Sequence, residues 1–163
     1  MKSSAILIAL AAALLGGCAS HQHRSQCQCA PVDAVHMNPQ VTVRVDAVAV
    51  GPDPLIFERS ERDFRIVWRL QQADLTFPEN GIVIDGQLMH SSGQAVAPGA
   101  DAGKKGQFVL DAKQTEIVDC RVSEDRRAFS CLNRHTKPGV YRYTIRVLNK
   151  GKLVQSDPTV MNY

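Results

Sequence analysis

The chain has 163 residues, 44% of them apolar and 21% charged, with a formal net charge of +3. This is enough chain for one domain with a core, and too little charge of one sign to generate a strong field. Lysines and arginines are dispersed and not interleaved with aromatics, which excludes a nucleic-acid stripe. The chain opens on Met1 and Lys2, and residues 5–15 read Ala, Ile, Leu, Ile, Ala, Leu, Ala, Ala, Ala, Leu, Leu. An apolar run of that length behind a basic start is the h-region of an export signal. It falls short of the roughly 20 residues that a bilayer core requires.

The run ends in Leu15, Gly16, Gly17 and Cys18, followed by Ala19 and Ser20. The four residues resemble the lipobox of bacterial lipoproteins: aliphatic, small, small, cysteine. The resemblance implies a signal peptide over 1–17, cleavage after Gly17, a diacylglycerol on the Cys18 thiol and an acyl group such as palmitate on the new amine. Each buried methylene adds about 0.8 kcal/mol, so several chains make a stable anchor where one would not. By resemblance to proteobacterial lipoproteins, the absence of Asp after Cys18 implies sorting to the outer membrane. The expected location is the bacterial cell envelope, lipid-anchored.

Residues 18–40 show no apolar period of 2 or 3.6 and few large side chains. Such a stretch cannot bury enough surface to offset its ordering entropy, and a flexible tether is expected. It carries His21, His23 and His36 beside Cys27 and Cys29, the mixture of imidazole and thiolate that copper or zinc favours. The spacing fits no structural zinc pattern, and exported thiols oxidise. Two readings stay open for these five residues: a metal site, or a solvated linker with Cys27 joined to Cys29 or to another chain.

From residue 41 the texture changes to strands. Val41, Val43, Val45, Ala47 and Ala49 alternate up to Gly51, Pro52, Asp53 and Pro54, which predicts one half-buried strand. Leu55, Ile56 and Phe57 suggest a second. Phe64, Ile66, Trp68 and Leu70 alternate with Arg65, Val67, Arg69 and Gln71, with the only tryptophan expected as a core anchor. Ile82, Val83 and Ile84 form a strand stopped by Asp85 and Gly86, and residues 88–92 fit no single pattern. Residues 92–106, with Gly93, Pro98, Gly99, Gly103 and Gly106, read as a long exposed loop, the first place to look for a binding surface. Tyr141, Tyr143, Ile145 and Val147 alternate with Arg142, Thr144, Arg146 and Leu148 in a further strand.

Five cysteines less the lipidated one leave an even number for an oxidising compartment. Cys120 and Cys131 flank the polar run Ser123, Glu124, Asp125, Arg126, Arg127, which predicts a disulfide across a β-hairpin, with Val122 facing Phe129 and Glu124 facing Arg127. Closing that loop would stabilise by about 3 kcal/mol in the chain-entropy model. Asp125 and Arg126 are poor residues for a two-residue turn, so a longer loop or a slipped register stays open.

About seven to nine short strands with Gly, Pro and Asn punctuation predict an all-β, antiparallel sandwich over 41–163. Trp68 and the late Tyr141, Tyr143 strand resemble the immunoglobulin or fibronectin type III arrangement; a lipocalin-like barrel is the alternative. No nucleophile elbow, zinc-protease helix, phosphate loop or Ser-x-x-Lys signature occurs, and no cofactor motif. His90 beside Ser91 and Ser92 is the nearest thing to part of a catalytic triad, and His135 is expected in a turn. The expected function is a non-catalytic envelope module that binds a protein or a glycan or is simply structural, with metal capture by the tether as the alternative.

Overall fold

The computed structural model describes residues 37–58, 63–99, 106–110 and 113–163. The chain separates into two units, Met1–Pro31 and Val32–Tyr163, and every described residue belongs to the second. Cys18, His21, His23, Cys27, Cys29 and His36 lie outside the described residues.

The second unit is all-β. Its strands are β1 (Gln40–Arg44), β2 (Ala47–Gly51), β3 (Leu55–Phe57), β4 (Phe64–Leu70), β5 (Leu75–Thr76), β6 (Ile82–His90), β7 (Gly106–Leu110), β8 (Ile117–Val122), β9 (Ala128–Asn133), β10 (Gly139–Asn149), β11 (Lys152–Ser156) and β12 (Thr159–Asn162). One sheet runs in the order β2-β1-β4-β9-β8, the other β3-β12-β10-β6-β7 with β11 and β5 also on β10. Among the described residues both sheets are open and form no closed barrel.

The expectation of purely antiparallel sheets is corrected: β1 runs parallel to β4, and β3 parallel to β12. Neighbouring strands in sequence tend to pair antiparallel through short turns. These two pairs join segments far apart along the chain, which no local pattern announces. Residues 37–40, assigned from sequence to the tether, already run beside β4: the Met37 N–H donates to Arg65 O and the Val67 N–H to Met37 O.

The alternation in β4 does what its pattern predicts. Phe64, Ile66, Trp68 and Leu70 are buried, and Arg65, Val67 and Arg69 face outward. β10 is the spine of the other sheet and is buried over most of its length, with β6 and β5 on one edge and β12 and β11 on the other. One core lies between the sheets, with Ile66, Trp68 and Phe129 from the first and Tyr141, Tyr143 and Ile145 from the second. Two polar pairs cross it. The Trp68 indole N–H donates to the Tyr143 hydroxyl at 3.0 Å, and Asn133 and Asn162 exchange amide hydrogen bonds at 2.8 and 3.0 Å. All four side chains are fully buried, so these bonds satisfy groups that would otherwise be costly to dehydrate.

Three predicted elements differ. The single strand expected from Val41 is a hairpin, β1 and β2, turning at Val45 and Asp46, both in the left-handed region with φ of 46° and 69°. That geometry belongs to a two-residue primed turn, which usually uses Asn or Gly; valine hid it from the sequence. The stop at Asp85 and Gly86 is no stop: β6 passes through both. Asp85 is answered across the sheet by Arg142 at 3.2 Å and by the Thr144 hydroxyl, and Gly86 lies against Arg142 and Phe108 beside an irregularity in β10. The expected exposed loop after β6 is partly tied down. The His90 N–H donates to Gln94 O and the Val96 N–H to Leu88 O, and Val96 packs in a small second cluster with Leu88 and Val140.

Candidate functional site: an exposed edge strand

Strand β7 ends the second sheet. It pairs with β6 on one side, Leu88 opposite Phe108 and Gly86 opposite Leu110, and among the described residues nothing pairs with its other side. Four of its five residues are exposed, including Phe108, Val109 and Leu110 at 38%, 40% and 56%. Alternation sends Phe108 and Leu110 to one face and Val109 to the other, so both faces of this edge are apolar. Natural edge strands usually carry charges or bulges that discourage further pairing. An apolar edge with unpaired backbone groups is instead suited to accept an added strand, with main-chain bonds for affinity and alternate side chains for selectivity.

His90 and Ser91 line a broad depression of about 700 Å³ at the open end of the β6–β7 pair, together with Met89, Gly93 and Val109. The described residues that line it include no carboxylate. Among the described residues no three His, Cys, Asp or Glu side chains converge on a point that could hold a metal. No helix there is long and apolar enough to cross a membrane.

Cys120 and Cys131 are joined, with sulfurs 2.06 Å apart. Val122 faces Phe129 as predicted, and the register up to the turn is the expected one. Beyond it the loop is longer than two residues: the Ser123 N–H donates to Ala128 O at 2.8 Å and the Arg126 N–H to Ser123 O at 2.9 Å, leaving residues 124–127 as the turn. Asp125 shapes it, accepting from the Ser123 hydroxyl and from the Arg127 N–H at 3.0 Å. These two bonds, Ser123 first, hold its carboxyl below the ordinary range. An irregularity at Asp119, with φ of 50°, ends the register on the far side of the disulfide.

Sequence reasoning missed two groups and the burial of a third. The Arg127 guanidinium donates to the carbonyls of Leu70 and Leu75, each at 2.9 Å, and to that of Gln72, fastening the turn of one sheet to the chain leaving β4. Glu116 is buried at 3% exposure in a small pocket of about 200 Å³, where its carboxylate accepts from the Thr136 N–H at 2.6 Å, the Thr136 hydroxyl at 2.8 Å and the Lys137 N–H at 3.2 Å. Burial, and then the Glu116 charge, push the Tyr141 phenol up. His135, expected in a turn, lies instead in the irregular stretch between β9 and β10; it has φ of 49° and is buried against Phe64 and Phe57, with neither ring nitrogen hydrogen-bonded among the described residues. Only an acidic residue next to a strand start hinted at Glu116, and nothing in the charge pattern singled out Arg127 among its neighbours. No protein-family model and no curated protein sequence matches this chain, so its reading rests on its own residues and geometry.

Proposed function

We propose that this chain is a lipid-anchored module of a bacterial outer membrane, held through Cys18, whose all-β domain is an immunoglobulin-like sandwich that binds an envelope protein by adding one of the partner's strands to β7. The observation that carries the reading is that edge of β7 which no described residue pairs, with Phe108, Val109 and Leu110 exposed on it. The Leu15, Gly16, Gly17, Cys18 motif supports the anchor, and the all-β architecture with Trp68 and Tyr143 across one core supports the sandwich. The role is adhesive and not catalytic.

The test places a photo-crosslinking residue at Val109 in cells. A discrete protein adduct is expected, lost on Leu110→Lys and retained on Val45→Lys, which changes an exposed apolar site elsewhere. An adduct that survives Leu110→Lys, or that forms as well from position 45, would remove β7 from the proposal. Cys18→Ser should release the protein from the membrane fraction; if it does not, the anchor is wrong.

A further inference from the structure

The outward face of the five-stranded sheet holds a second site, independent of β7 and of the anchor. Because Phe64, Ile66, Trp68 and Leu70 point into the core, β4 sends Arg65, Val67 and Arg69 the other way. On the neighbouring strand Ser130 stands opposite Val67, and on β8 Arg121 stands opposite Ser130. The three arginines therefore share one face of this sheet. Arg65 and Arg69 are four residues apart on a strand rising about 3.3 Å per residue, and Arg121 is two strand spacings of about 4.8 Å away. All three line a single open groove of about 350 Å³, floored by Val67 with the Ser130 hydroxyl beside it.

Among the described residues no carboxylate lines this groove, and none of the three guanidinium groups has a carboxylate partner. Three cations elsewhere on this domain do find acids: Arg126 meets Glu79 at 2.8 Å, Arg142 meets Asp85 at 3.2 Å and Lys152 meets Asp46 at 3.0 Å. Like charges gathered round one groove repel, and an anion seated among them relieves that repulsion. We infer that this groove is an anion site that takes a phosphate group, from a lipid headgroup or from a soluble phosphate ester. Guanidinium forks match phosphate oxygens in pairs, and Ser130 adds a neutral donor. The volume sits at the small end of ligand sites, room for one phosphate and a short alcohol.

The test uses the full chain with Cys18→Ser, so that membrane association through the acyl anchor is removed, against the same chain carrying Arg65→Gln, Arg69→Gln and Arg121→Gln. All three positions face solvent, and unchanged Trp68 fluorescence confirms folding. Inorganic phosphate titrated at constant ionic strength should shift the guanidinium resonances of Arg65, Arg69 and Arg121 saturably, with affinity falling about tenfold or more in the triple variant. Vesicles of phosphatidylglycerol, but not of phosphatidylcholine, should retain more parent than variant if the source is a headgroup. Phosphate binding without that difference assigns the site to a soluble ester. Unmoved guanidinium signals together with equal vesicle retention of parent and variant overturn the proposal.

Discussion

Replacing Val45 by asparagine should make the protein more stable, although it deletes a hydrophobic side chain. Val45 is the first residue of the β1–β2 turn, with φ of 46°, and is 98% exposed. A left-handed conformation costs an L-residue roughly 1–2 kcal/mol, and a β-branched one more than most, whereas asparagine adopts it readily. Exposure so complete means that almost no apolar contact is lost, so the expected gain is about 1 kcal/mol. Glycine relieves the same strain but adds about 0.5–1 kcal/mol of unfolded-state entropy, which places Val45→Gly between asparagine and the parent. Urea denaturation followed by far-ultraviolet circular dichroism would measure this, with the midpoint rising and the slope unchanged. A Val45→Asn protein no more stable than the parent would refute the assignment of strain to this turn.

Tyr143→Phe should cost about 1–3 kcal/mol in the same assay, because it leaves the fully buried Trp68 N–H without the acceptor now 3.0 Å away. Stability should also fall in alkali. Burial raises the phenols of Tyr141 and Tyr143 above their ordinary value of 10.0, so the folded state keeps protons that the unfolded chain releases. The stabilisation is complete below pH 10 and declines above it by up to about 1.4 kcal/mol per pH unit for each tyrosine, and urea midpoints across that range should show a slope that either Tyr→Phe change flattens. Gly139→Ala should lose about 1–3 kcal/mol, since a Cβ there would stand 2.6 Å from the Tyr141 hydroxyl oxygen in a packed core; a thermal midpoint equal to the parent's would show that the ring can give way.

What was legible in the sequence was whatever local alternation and burial decide together. β4 and β10 stand where their patterns put them, and the Cys120–Cys131 hairpin keeps the register that set Val122 against Phe129. The turn at Val45 and Asp46 was invisible because apolar alternation runs through it without a glycine or asparagine. β6 seemed to stop at Asp85 because its answering charge, Arg142, is supplied from far along the chain. The candidate edge was only half legible: the strand texture of Phe108, Val109 and Leu110 could be read, but that β7 ends its sheet follows from long-range pairing. The groove of Arg65, Arg69 and Arg121 needed the same non-local information.

The parallel pairing of β3 with β12 sets a timetable for assembly. Leu55 lies opposite Val160, so residues 55–57 have no neighbouring strand until a segment about a hundred residues later is in place. Closing so distant a contact is slow. For a polypeptide delivered N-terminus first, the strand that pairs with residues 55–57 is the last of the described strands to arrive.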